Sequence, residues 1–509
     1  MTSSFTVVRS ILIYGICLPL AVFLGYLLAQ PFDFTTFATV GLLLLVLVIP
    51  ILLNWHHPLL VLSWNGTAVA FFIRGRPNFW LVLTALSLLI SLLQRTLNRR
   101  MRFVHVPSVA WSLVFLFVVT WLTARLTSGI GLRSFGGDVW GGRRYVYLFG
   151  AILGYFAFTS HRIPLERAPL YVAMFFLGGL TWAMASMVDV VGPSFYFLFA
   201  LFPVEAMPGQ AASYIPRMGG VPLAAIATMS FMMARYGIRG VFFAAKPRRV
   251  VLFVILFVVM LFGGFRSFLI TILSLVGIQF CLEGLHRTRL LLVVLLGGLL
   301  VGLALIPILP RLPTSVQRCF AWLPVEIDPA ARLSAEGSSE WRVNIWKVVS
   351  SEIPQHLLLG KGFAINPTEL ELAAAGWQHG TGSQGVYITG DYHSGPLSLI
   401  IPLGIWGVIG FLWFLAASLH VLYRNYRFGD PSLRTVNAFL LTAFITHLLL
   451  FFFVAGSFHV DMPTFCGTIG FNISLNGGVS KPVPVPVAQQ VRPKFLATIL
   501  PRPKPAFGR

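Results

Sequence analysis

Hydrophobic residues fall along this chain in long blocks separated by short basic or proline-rich breaks. The blocks lie at 10–29, 36–53, 57–73, 78–94, 107–124, 145–160, 169–187, 222–236, 249–264, 267–283, 289–309, 395–419 and 436–457, with a weaker one at 463–475. Most approach the roughly 20 residues a helix needs to cross a bilayer, which predicts an all-α polytopic membrane protein with about 12 to 14 transmembrane helices. The block at 57–73 is the weakest, because Asn65-Gly66 interrupts it. Only Arg9 precedes the first block and no small-residue cleavage site follows it, so it reads as a retained helix. Residues 191–221 are apolar but broken by Pro193, Pro203, Pro208 and Pro216. That pattern suits a re-entrant or interfacial segment lining a cavity, where irregular backbone finds partners at membrane depth.

One interval departs from the pattern. Residues 310–394 form a large polar loop between a first set of transmembrane helices, 1–309, and a second, 395–476. The last stretch, 477–509, is basic and Pro-rich, with seven prolines and no acid from Lys481 onward. It is expected to be disordered and to face lipid from the cytoplasm. The loop holds half of the 16 acidic residues of the chain. Within it, Trp341, Ile345, Val348 and Val349 recur at helical spacing and predict a short amphipathic helix over 338–349. Ser338, Ser339 and Glu340 suit its start, and Pro354 its end. A glycine turn at Gly360-Lys361-Gly362, a Gly-rich stretch from 376 to 390, and His393 at the entrance of the next apolar block follow.

Charge orients the helices. The chain is 57% hydrophobic and 10% charged, against about 25% charged in a typical soluble domain. Its +21 balance is therefore assigned to cytoplasmic loops and anionic membrane lipids, and not to nucleic acid. If the blocks alternate across the bilayer, the basic groups around Arg95–Arg102, His161–Arg167, Arg239–Arg249, Arg287–Arg289 and Arg424–Arg434 share one face, the cytoplasmic one. The 310–394 loop is then extracytoplasmic. Arg125, Arg133, Arg143, Arg144, Arg217 and Arg266 fall on the outer side against this trend. Arg266 stands out, since it sits between two apolar blocks, where an ionisable residue usually faces a polar cavity or a partner.

Several chemistries lack their motifs. The sequence has no G-x-x-x-x-G-K-[ST], no H-E-x-x-H and no Asp-x-Asp, and Cys17, Cys281, Cys319 and Cys466 form no C-x-x-C pair. No metal or cofactor is expected.

Arg342, Trp346, "HLLLGKGF" at 356–363, "YHSGPLSLIIPLGIWGVIGF" at 392–411 and "GGFRSFL" at 263–269 together resemble the bacterial O-antigen ligase/polymerase family. The similarity covers roughly residues 250–420 and rests on the order and membrane setting of the motifs. One departure is Ser394, where the family often has Asn. The resemblance implies a multi-pass inner-membrane glycosyltransferase whose loop is periplasmic. Its donor would be a polyprenyl-diphosphate-linked glycan, and its acceptor lipid A core or another lipid-linked glycan. It also implies that Arg266 and Arg342 hold the diphosphate and that His393 is the base. Side-chain chemistry agrees, because the planar guanidinium fork binds phosphate oxygens bidentately and a His beside a helix start is a neutral proton acceptor.

Plainer roles compete for each residue. His393 could cap a helix, Arg342 could pair with Glu340 or Glu336, and Trp341 and Trp346 could be loop core. Arg217 and His379 are secondary site candidates, and His56-His57 is expected at head-group level without a chemical role. A transporter or flippase for lipid-linked glycans is the competing class, although such folds commonly show two similar halves and no duplication is visible here.

Overall fold

The computed structural model describes residues 34–99, 102–127, 130–131, 140–203, 219–368 and 388–482, together with a few isolated positions. It is 77% helical without a strand, and six of its helices are long and apolar enough to cross a membrane. These are Phe79–Leu97, Pro107–Leu126, Gly220–Phe242, Leu290–Arg311, Gly395–Phe428 and Pro431–Phe453. Val48–Ser63 and Arg266–Leu282 are shorter apolar helices. The chain is thus an all-α, multi-pass membrane protein.

Proline sets several starts, where its missing N–H is one of the helix's unpaired donors in any case. It stands in the first turn of Pro107–Leu126, Pro247–Leu261, the loop helix Pro329–Ser350 and, as Pro396, Gly395–Phe428.

The expected count of spans differs from the helices observed. Blocks 36–53 and 57–73 merge into one helix, Phe34–Ser63, because Asn65-Gly66 ends a helix here and does not interrupt a span. Block 169–187 divides into Ala168–Leu177 and Trp182–Val191 across a 3-10 turn at Gly178–Thr181. The weak block at 463–475 becomes a full helix, Phe458–Asn476, almost wholly buried. Within 191–221, Pro193–Ala200 is a 3-10 helix, and residues 204–218 lie outside the described residues, as do most of block 10–29 and the tail from 483.

The core sits between Gly142–Phe158 and the last three helices, around fully buried Phe411, Phe414, Phe439, Phe444, Phe451, Phe458, Phe465 and Phe471. Trp64 wedges in from the end of Phe34–Ser63. Its indole occupies the space that a Cβ at Gly154 or Gly467 would need, and its Nε1 donates to the Pro463 carbonyl at 3.1 Å. By contrast, Leu290–Ile308 has no buried residue, as befits a helix solvated by acyl chains.

The basic connections do share one end of the bundle. There Val104 N–H donates to the Thr159 carbonyl, Ile163 N–H to the Ser474 carbonyl and Tyr426 O–H to the Leu282 carbonyl. An amide network closes this end. Asn425 Nδ2 donates to Asn472 Oδ1 at 2.7 Å, Asn472 Nδ2 to Asn437 Oδ1 at 3.0 Å, and Asn437 Nδ2 to Asn476 Oδ1 at 2.9 Å. His56 and His57 are buried at this same end, beside Ser87 Oγ and the Phe158 carbonyl and against His161.

Candidate diphosphate-binding and base site

The loop helix places the site. It runs over Pro329–Ser350, starting earlier than expected, because Asp328 caps it by accepting from Ala330 N–H at 2.7 Å. Ser338 and Ser339 therefore lie inside the helix and not at its start. Ala335, Ser338, Ser339 and Arg342 follow i, i+3, i+4, i+7 spacing, which puts them on one face. Arg266, first residue of Arg266–Leu282, meets that face. Its Nη2 lies 3.0 Å from the Ala335 carbonyl, 2.9 Å from Ser339 Oγ and 3.3 Å from Ser338 Oγ.

Arg342 projects from the same face. Its Nη1 donates to the Val454 carbonyl at 3.4 Å, and burial followed by the nearby Arg266 charge pulls its pKa below the ordinary value. Among the described residues neither arginine pairs with a carboxylate, so Arg342 does not bond Glu340 or Glu336. Nε and Nη1 of Arg266 have no partner among the described residues. Two neighbouring, partly buried cations with spare donors could hold an anion, since an oxyanion between them would relieve both their repulsion and their desolvation.

The next turns of the same face carry apolar residues, Ile345, Trp346 and Val349 at i+3, i+4 and i+7 from Arg342. Ile345 and Val349 pack with Tyr392, Leu397 and Ile401 at the start of Gly395–Phe428, with Trp341 and Trp346 against them. Val348, expected in that stripe, is exposed. Trp346 Nε1 donates to the Tyr392 carbonyl at 2.9 Å, so both tryptophans serve as loop core. Burial is the main cause that pushes the Tyr392 phenol up to about 12.

His393 stands where that packing ends. Its φ is +49°, in the left-handed region that non-glycine residues rarely adopt. The ring meets Trp341 edge-on at 5.3 Å. Nδ1 lies 3.0 Å from the Asp391 carbonyl, which can only accept, so Nδ1 carries the hydrogen and Nε2 is left as the proton acceptor. His393 does not cap the helix; Ser394 does, with Oγ facing Leu397 N–H at 3.5 Å.

Two of the motif stretches meet at a break in the same helix. Gly404, at φ +63°, interrupts Gly395–Phe428, and the turn Leu357–Gly362 fills the gap. Lys361 N–H donates to the Ile401 carbonyl, Gly362 N–H to the Pro402 carbonyl, and Ile405 N–H to the Leu357 carbonyl, at 2.8, 3.0 and 2.7 Å. A Cβ on Gly360 would stand 2.2 Å from the Pro402 carbonyl oxygen, so this glycine permits the contact.

Sequence reasoning missed supporting residues. Arg318 is buried and donates to the Gly264 carbonyl at 2.6 Å and to Ser334 Oγ at 3.1 Å, bracing the turn before Arg266. A cation inside a mostly solvated loop gave no periodic signal. Arg144, one of the outer arginines that run against the charge trend, closes on the Asp391 side, about 3.0 Å from where a Gly390 Cβ would sit. His447 Nε2 lies 3.1 Å from Asp461 Oδ1, while Asp461 Oδ2 accepts from Ser457 N–H, tying down the connection that offers Val454 to Arg342. Cys319 is buried and its thiol is pushed up to about 11, which excludes it as a nucleophile near neutral pH.

Among the described residues no three His, Cys, Asp or Glu side chains converge as metal ligands. The secondary candidates Arg217 and His379 lie outside the described residues. In comparisons with known proteins, no family model, no curated sequence and no solved structure matches this chain.

Proposed function

We propose that the chain is an inner-membrane glycosyltransferase of the O-antigen ligase/polymerase type. The observation that carries this reading is the Arg266–Arg342 pair, two neighbouring guanidiniums without a carboxylate among the described residues, one docked against and one carried by the loop helix whose Trp341 meets His393. The diphosphate of a polyprenyl-linked donor carries two negative charges and gains a third as it leaves, which such a pair suits. In the proposed reaction Arg266 and Arg342 hold the diphosphate of the donor. His393 Nε2 takes the proton of an acceptor hydroxyl, whose oxygen bonds to the anomeric carbon as the bond from that carbon to the diphosphate oxygen breaks. The products are the glycosylated acceptor, lipid A core or a second lipid-linked glycan, and polyprenyl diphosphate, with the proton on His393. Charge at the leaving group is met by arginine, and the base works from a tautomer fixed by Asp391.

The test is transfer by the purified chain supplied with polyprenyl-diphosphate-linked glycan and lipid A core. Product should form and should survive EDTA. Movement of the donor across a vesicle membrane without any glycosidic product would reject the enzyme in favour of a flippase. Ligase and polymerase separate in a deletion strain: loss of a polymerase leaves single repeats on the core, and loss of a ligase leaves bare core with accumulated lipid-linked glycan.

A further inference from the structure

At the other end of the bundle, the end of helix Phe79–Leu97, the stretch after it and the end of helix Gly142–Phe158 enclose a cavity of about 420 Å³. Arg95, Arg99 and Arg102 stand around it, over walls that include Phe103, Ala110 and Tyr155. No carboxylate lines it, and none of the three arginines has an ion-pair partner among the described residues. The Arg95 guanidinium sits 5.1 Å over the Phe103 ring, which fixes one cation against the wall. The C-terminal dipole of Phe79–Leu97 offsets only about half a unit charge. Three positive charges around a walled space therefore stay uncompensated by the protein.

The flanks of the cavity indicate the source of the missing anion. Helix Phe79–Leu97 exposes Leu92, one turn before Arg95. Helix Pro107–Leu126 exposes Trp111, Val114 and Val118. These faces have no partner among the described residues and suit acyl chains, whereas a free anion would use only the arginines. We infer that this cavity is a binding site for an anionic diacyl phospholipid, its phosphate among Arg95, Arg99 and Arg102 and its chains along Leu92 and the exposed face of Trp111, Val114 and Val118. The site is remote from Arg266 and does not depend on the transfer reaction.

Native mass spectrometry of the full chain in detergent, titrated with phosphatidylglycerol or phosphatidylcholine, tests the assignment. The wild type should retain phosphatidylglycerol in preference. A basic residue near such a head group is worth roughly fivefold in binding, so Arg95→Gln with Arg102→Gln should weaken retention about 30-fold. Arg95→Lys with Arg102→Lys keeps the charge and should retain most of it. Ala110→Phe, which leaves every charge in place and fills the cavity, should also lose the lipid, and it covers the case in which the Gln variant fails to fold. Inorganic phosphate alone should not displace bound phosphatidylglycerol. Equal retention by the Gln and Phe variants, no preference for the anionic lipid, or displacement by phosphate at equal affinity would each overturn the inference.

Discussion

Replacing His393 by Asn separates a base from a scaffold residue more cleanly than replacing it by Ala. At φ +49° the backbone is left-handed, a conformation that costs an ordinary side chain roughly 1–2 kcal/mol and that Asn tolerates well. The Asn amide nitrogen also falls near the position of Nδ1, so it can still donate to the Asp391 carbonyl, a bond worth about 1 kcal/mol. Asn therefore preserves what His393 does for the fold and deletes only Nε2. A general base contributes about 10²- to 10⁴-fold, or roughly 2.7–5.4 kcal/mol of barrier. The expected His393→Asn protein melts within about 1 kcal/mol of wild type on that hydrogen-bond arithmetic, binds donor normally and transfers at least about 100-fold more slowly. His393→Ala should lose both stability and transfer, since it adds strain and forfeits the hydrogen bond. Single-turnover transfer, donor titration and thermal melts on matched preparations measure all three. If His393→Asn kept more than about a third of wild-type transfer, far above the loss expected for a base, His393 would be structural and the search would move to His379.

Four further outcomes are expected. Arg266→Lys and Arg342→Lys should retain part of the donor affinity while the Ala variants lose nearly all of it, because Lys keeps the charge without the fork; a lipid-linked donor titration decides. An alkaline-phosphatase fusion at Gly337 should be active if the loop is extracytoplasmic, and a silent one would reverse the orientation. Asn437→Leu should lower the melting stability by about 2 kcal/mol or more, because it leaves Asn472 Nδ2 and Asn476 Oδ1 without their Asn437 partners and an unpaired buried polar group costs roughly 1–3 kcal/mol. Tyr392, pushed up to about 12, binds its proton more tightly folded than unfolded, so its contribution is present below about pH 10 and lost as pH rises towards 12. Melts across that window should show an extra decline in wild type that Tyr392→Phe lacks.

Most of the bundle was legible because a bilayer filters sequence harshly. An apolar block has one stable form there, and Phe79–Leu97, Pro107–Leu126 and Arg434–Phe453 lie close to where the blocks put them. What failed was counting. Asn65-Gly66 and Gly178-Gly179 are local backbone signals whose effect, ending a helix or only bending it, depends on neighbours that hydropathy does not encode. Arg266 could be singled out because charge between apolar blocks is costly, and Arg342 through the family resemblance. The route that joins them could not, since Ser338 and Ser339 acquire their role only when a residue some 70 positions away docks on them. Arg318 and the Asp461–His447 pair stayed hidden for the same reason.

The break at Gly404 bears on how the molecule is assembled. A helix with a left-handed residue in its interior leaves the carbonyls of Ile401 and Pro402 without their own amides, a costly state where no water reaches. The amides that take their place belong to Lys361 and Gly362, in the loop made just before this helix. Insertion of residues 395–428 thus cannot finish on its own. The loop must first have folded back onto it, and until then the helix is held short of its final hydrogen bonding. Docking of that turn is a late step of biogenesis, and a chain stalled before it would carry an unfinished membrane helix with His393 at its free end.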